Sequence, residues 1–182
     1  MPIDEPLLSG RIAGADLVAC VEETMQVATL RYLTRAGAFA ESVRAATGTA
    51  LPEVLEAREL PESQLILAWR SPTETLCITR SAARLAELIA RLTPAVDGCV
   101  VELTGGLRIV RLTGLRIADL LCRLGGTASV PAIGAACRSR MADVPVLALS
   151  VRAGETLLLV DRGYLPHLLA WIRETLLDFD AT

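Results

Sequence analysis

The stretch VPVLALSVRAGETLLLV, residues 144–160, most constrains how this chain can fold. Its two short apolar arms have the composition of half-buried strands, and Arg152-Ala153-Gly154-Glu155 between them reads as a hairpin connection. Gly154 can take the positive φ such a turn demands. An amphipathic helix is expected on each side. The earlier one keeps Leu115, Ala118, Leu121 and Cys122 on one face, and the later one Leu165, Leu168, Leu169, Ile172 and Leu176. With a strand through Leu107 and Ile109, residues 100–177 make a sheet with two helices on one side. That is a folding unit and carries no catalytic signature.

In chain order the earlier residues repeat the plan. A strand is expected within residues 22–34 and a helix over 37–47, with Phe39, Val43 and Ala46 inward and Gly48 as its stop. A hairpin follows, residues 64–70 and 74–79 around Ser71-Pro72-Thr73. Ser81 then caps a helix over 82–92 whose stripe is Leu85, Leu88, Ile89 and Leu92, and a strand returns over 96–103. The first half thus reads β-α-β-β-α-β and the second, from near Leu107, β-α-β-β-α. Each has the split βαβ plan, so the fold class expected is α+β with two packed ferredoxin-like halves, about 22–104 and 105–182, in one domain of residues 22–182. Residues 1–21 show no sustained periodicity and read as an extended N-terminal arm.

Composition narrows function mainly by exclusion. All 18 basic residues are Arg, which removes a Walker A loop, a lysine Schiff base and a lysine general base. A net charge of −3 and 3% aromatic residues argue against a nucleic-acid partner. The five cysteines, Cys20, Cys77, Cys99, Cys122 and Cys137, form no CxxC, and read as buried apolar side chains of a reduced compartment. No apolar run reaches membrane-spanning length and no leader pattern opens the chain, so a cytoplasmic location without membrane contact is expected. The mean hydropathy of +0.46 hints at apolar surface kept for partners, or for a second copy in a homo-oligomer.

His167 is the only histidine. Tyr164 and Trp171 share its side of the last helix, which reads either as an aromatic docking patch or as a half-buried helix shoulder. Arg138 and Arg140 precede the hairpin; in an extended segment both point the same way, toward an anion or a partner's carboxylates, unless they pair with Asp143, Asp161 or Glu155. Arg108 and Arg111 read as surface charges. Glu53, Glu56, Glu59 and Glu62 have three-residue spacing that could line a helix edge, with a solvated face the simpler reading. No catalytic residue and no metal site is expected. A stand-alone folate-binding protein would need a buried carboxylate for the pterin ring, for which Asp119 and Glu102 are the candidates near a sheet end.

The succession LRYLTRAGAFAESVRAATGTALP, LILAWRSPTETLCIT, VVELTGGLRIVRLTGLRIADLLCRL and CRSRMADVPVLALSVRAGETLLLVDRGYLPHLLAWIRETL resembles the gamma subunit of heterotetrameric sarcosine oxidase. That family is similar in fold to the folate-binding domain of glycine-cleavage T-proteins. The resemblance covers about residues 26–178. It implies an accessory subunit whose larger partners (alpha, beta and delta) carry FAD or FMN, NAD, tetrahydrofolate and the chemistry on sarcosine or related N-methyl amino acids, with no cofactor on this chain. Relatives commonly carry an acidic-Trp turn in the first hairpin; here the turn is Arg70-Ser71-Pro72-Thr73-Glu74, with Trp69 moved ahead of it as a candidate contact residue.

Overall fold

The computed structural model describes residues 10–14, 16–92 and 96–180. In order, these form β1 (Arg11–Gly14), β2 (Leu17–Glu22), β3 (Gln26–Tyr32), α1 (Ala38–Thr47), β4 (Ala57–Leu60), β5 (Leu65–Ser71), β6 (Glu74–Thr79), α2 (Ala82–Leu92), β7 (Gly98–Glu102), β8 (Leu107–Gly114), α3 (Ile117–Gly125), β9 (Ala135–Met141), β10 (Val144–Arg152), β11 (Glu155–Asp161) and α4 (Leu165–Asp180). The fold is α+β with two antiparallel sheets, ordered β1-β2-β8-β11-β10-β9 and β4-β5-β6-β3-β7. Two compact units result: Thr24–Thr104, and the described residues of Met1–Glu23 together with those of Gly105–Thr182.

In the 24–104 unit, β3, α1, β5, β6, α2 and β7 form two interlocked split βαβ turns, and β4 adds an edge. Alternation along β3 sends Ala28, Leu30 and Tyr32 to one face, where Leu65, Leu67 and Cys77 join them under Phe39 and Val43 of α1 and Leu85 and Leu88 of α2. The Ser81 hydroxyl accepts the Arg84 N–H at 3.2 Å and caps α2. Helix α1 is closed by the Gly48 N–H on Arg44 O. Its opposite end borrows a cap from far along the chain: Asp97 Oδ1 accepts the Phe39 N–H at 2.7 Å. Gly98, next in sequence, has to be glycine, because a Cβ there would lie 2.3 Å from the Phe39 ring.

The flanking unit repeats this plan with one permutation. Strands β8, β10 and β11 with helices α3 and α4 supply βαββα, and the fourth strand comes from the other end of the chain. Strand β2 pairs antiparallel with β8, from Leu17 opposite Gly114 to Glu22 opposite Ile109. The segment expected to be an extended arm is therefore corrected over its described part: Arg11–Gly14 and Leu17–Glu22 pair as β1 and β2, and the inner strand buries Leu17, Ala19 and Val21 against α3 and α4, while residues 1–9 and 15 lie outside the described residues. The cause is the missing strand. A βαββα unit leaves one side of β8 unpaired, and buried main-chain groups need partners. Gly114 permits the close approach, since a Cβ there would sit 2.0 Å from Asp16 O.

Two further corrections are local. Helix α3 buries Ile117, Leu120, Leu121 and Leu124; of the face expected, only Leu121 is buried, with Leu115 88% exposed, Ala118 exposed and Cys122 half-buried. The helix starts two residues later because the Leu115 N–H is held by Asp16 O at 3.1 Å, in the turn before it. The acidic connector forms no helix: β4 occupies Ala57–Leu60 and pairs with β5. Strands β6 and β11 are buried at successive positions on both faces, which is why they read as continuous apolar runs without alternation.

Candidate functional site

Two of the residues singled out by sequence, Arg140 and His167, meet the β9–β10 turn of the flanking unit. Residues Met141 and Val144 are paired across it, leaving Ala142 and Asp143 at φ 47° and 64°. Both are in the left-handed region of a type I′ hairpin, which normally takes Asn-Gly. Two helices hold this costly turn. The Ala142 N–H donates to Leu124 O at the end of α3, and Ala142 O accepts from His167 Nε2 of α4, each at 2.8 Å. A carbonyl can only accept, so His167 carries its proton on Nε2. The one imidazole is thus spent on main-chain support, with its donor nitrogen committed.

Trp171, one turn further along α4, meets the His167 ring edge-on, with centroids 6.4 Å apart and planes at 61°. Trp171 is 51% exposed and Tyr164 is 45% exposed. The helix face below them is fully engaged: Leu165, Leu168, Leu169, Ile172 and Leu176 are buried. Arg138 and Arg140 lie two apart on β9, both exposed and on one face of the strand. Arg140 donates from Nη2 to Asp143 O, tightening the same turn. Arg140 reads from sequence either as an anion site or as a pair with Asp143, Asp161 or Glu155; this bond engages the Asp143 main chain and not its carboxylate.

Trp69 belongs to the other unit. It lies opposite Thr75 on β5, just before a register irregularity that ends at Ser71. Its N–H donates to Glu56 O at 2.8 Å, while the indole Nε1 is buried without a hydrogen-bond partner.

Three features lay outside the sequence reading. Arg111, read as a surface charge, links two carboxylates: it pairs with Glu22, and its Nη1 lies 3.8 Å from Glu155 Oε2. Glu22 is a buried carboxylate in this fold. Asp119 and Glu102, the two proposed to hold a pterin, are both exposed, and Asp119 pairs with Arg116 at 3.2 Å. The signal for Glu22 was missed because it ends β2, whose other residues had been read as an arm, while Glu22 itself was assigned to the next strand. In the acidic connector, Glu56 accepts the Glu53 N–H at 2.7 Å and an Arg58 Nη2 at 2.6 Å. The Glu53 main-chain bond, followed by Arg58, holds its carboxyl below the ordinary value. Finally, an open groove of about 510 Å³ runs along the start of β7, with Leu33, Val96, Asp97 and Cys99 among its walls and the Arg31–Glu74 ion pair, 2.8 Å, at its side. Leu33 is 83% exposed and Val96 98%.

Among the described residues no group of three or more His, Cys, Asp or Glu is placed to hold a metal ion, and no helix is long and apolar enough to cross a membrane. Burial pushes the Cys77 thiol up to about 12 and raises that of Cys137, away from thiolate reactivity.

No protein-family model matches this chain, and no curated protein matches it in sequence. Solved structures do match in fold. A chain of the heterotetrameric sarcosine oxidase from Corynebacterium sp. U-96, solved with pyrrole 2-carboxylate, superposes with TM-score 0.81 at 22% identity over 94% of this chain and 90% of that one. The glycine cleavage system aminomethyltransferase T from Bartonella henselae follows at TM-score 0.60 and 17% identity, over 87% of this chain, which spans 46% of that protein's chain. A C-terminal domain of Porphyromonas gingivalis W83 aspartate kinase, described as a regulatory domain, reaches 0.52 at 11% identity, over 88% of this chain and 96% of that one. The fold of this chain is that of the sarcosine oxidase chain, with the T-protein fold related to it.

Proposed function

We propose that this chain is a non-catalytic accessory subunit of a flavin- and folate-dependent sarcosine, or N-methyl amino acid, oxidase complex. The observation that carries this reading is the likeness to a chain of a heterotetrameric sarcosine oxidase over nine-tenths or more of both lengths. FAD or FMN, NAD and tetrahydrofolate belong to the larger alpha, beta and delta partners in this reading. The chain contributes exposed contact residues: Trp171 on α4 and Tyr164 in the turn just before it, and Arg138 beside Arg140 on β9. Trp, Tyr and Arg are the residue types that anchor protein interfaces. The His167–Ala142 bond supports the same reading, because it spends the one imidazole on holding a turn.

Co-expression with the flavoprotein and aminomethyltransferase-like subunits of the same organism tests the proposal. A stoichiometric complex is expected by light scattering. Trp171→Ala should weaken it roughly thirtyfold or more if Trp171 is an interface anchor worth about 2 kcal/mol. A chain that remains monomeric beside those subunits refutes the reading. A self-associating chain that ignores them turns it toward a homodimer of separate role. A stand-alone folate-binding protein is less well supported, since Asp119 and Glu102 are exposed and buried Glu22 is bound by Arg111.

A further inference from the structure

We infer that β7 is an assembly edge, onto which an extended segment of a partner subunit adds as a further strand of the 24–104 sheet. The inference rests on the accessory-subunit reading and names where such a partner engages. In the order β4-β5-β6-β3-β7, the two edges are β4 and β7. Strand β4 is four residues long and carries Arg58 and Glu59, the short charged form that natural edges take to prevent pairing. Strand β7, Gly98-Cys99-Val100-Val101-Glu102, has no proline, no basic residue and an unbroken register with β3. It is bare by comparison.

The register says which groups it offers. The Leu33 N–H donates to Asp97 O at 3.0 Å and the Leu103 N–H to Val27 O at 2.8 Å, so the odd-numbered residues are those bonded to β3. In an antiparallel ladder the alternate residues turn their groups the other way. Gly98, Val100 and Glu102 therefore direct N–H and C=O outward, and among the described residues no strand pairs with that side. At the Gly98 end of this row lies the 510 Å³ groove, with Leu33 and Val96 standing in solvent. Main-chain pairing beside a pocket for alternate side chains is the geometry of strand addition.

Charge selects the occupant. Asp97 stands just before β7 and Glu102 ends it, with no base on the strand. Asp97 is turned in to cap α1 through the Phe39 N–H, so Glu102 is the charge on offer, and a second copy paired antiparallel about Val100 would set it opposite Gly98, with no base to meet it. The fitting occupant is an extended segment of a different chain, with apolar residues at alternate positions and an Arg or Lys near an end.

Amide hydrogen exchange, read by NMR on the chain alone and in complex with the co-expressed larger subunits, tests this. Assembly should slow the Val100 and Glu102 amides by about tenfold or more while Cys99 and Val101, already bonded to β3, change little. Val100→Pro removes an outward N–H and leaves the β3 ladder whole, so it should weaken the complex about tenfold or more, whereas Val100→Ala should not. A complex that forms with the outer amides exchanging freely overturns the inference and leaves the accessory role standing; no complex at all sinks both. Slowing that appears in the isolated chain as its concentration rises assigns the edge to a second copy and also overturns it.

Discussion

Leu17→Ala separates an integral N-terminal strand from a loose arm. Leu17 is 2% exposed, sits in the core cluster with Ile117, Leu120, Leu168 and Ile172 in that cluster, and occupies the register position opposite Gly114. Truncation removes three carbons, worth about 2.4 kcal/mol at about 0.8 kcal/mol each, and leaves a cavity, which brings the cost to about 3–5 kcal/mol. At about 2–4 °C per kcal/mol for a chain of this size, the lower figure alone lowers the melting temperature by roughly 6–12 °C. Thermal unfolding followed by far-ultraviolet circular dichroism is the assay. Leu33→Ala, at a position 83% exposed, is the control and should stay within about 0.5 kcal/mol of the parent. If Leu17→Ala melts with the control, β2 is no part of the core and the permuted four-stranded arrangement is wrong.

Gly98→Ala should destabilise the 24–104 unit by about 1–3 kcal/mol or more in urea titration, because its Cβ would meet the Phe39 ring; no change would mean Phe39 is not packed there. Native-state thiol titration at pH 8 should modify Cys99, which is exposed, and spare Cys77, whose thiol is held near 12 and buried; Cys77 should react only on unfolding. Equal rates for the two would contradict their placement. Glu56 has its carboxyl lowered on folding, so its contribution is present above the unfolded value near 4.5 and is lost as pH falls through the folded one. Glu56→Gln should therefore cost about 1 kcal/mol or less at pH 7, after solvent screening, and converge with the parent in strongly acid solution. An undiminished difference at low pH would remove the carboxylate from the explanation.

Much of the topology was legible because local signals and tertiary needs agree. Gly48, Ser81 and the stripe of α2 mark helices that form where their periodicity puts them, and the β10–β11 arms pair around Gly154. The failures share a cause, which is long-range pairing. Residues 11–22 have little pattern of their own, and only the vacancy beside β8 makes them a hairpin. Leu115 and Ala118 were read onto the α3 face, yet the buried face is Ile117, Leu120, Leu121 and Leu124, and a bond to Asp16 about a hundred residues earlier keeps Leu115 in the turn. The same holds at the candidate site. Arg138, Arg140, Tyr164, His167 and Trp171 were singled out by residue type and spacing, but the contact His167 makes, with a strained Ala142-Asp143 turn, shows only once both helices are in place. Arg111 was misread because its partners Glu22 and Glu155 come from strands on either side of β8.

The most direct test is sarcosine-dependent hydrogen peroxide release, measured on the purified chain alone and on the complex with its larger subunits. No release from the isolated chain, with full release from a complex holding this chain in stoichiometric amount, is the result expected of an accessory subunit. Turnover of any N-methyl amino acid by the chain alone would contradict it.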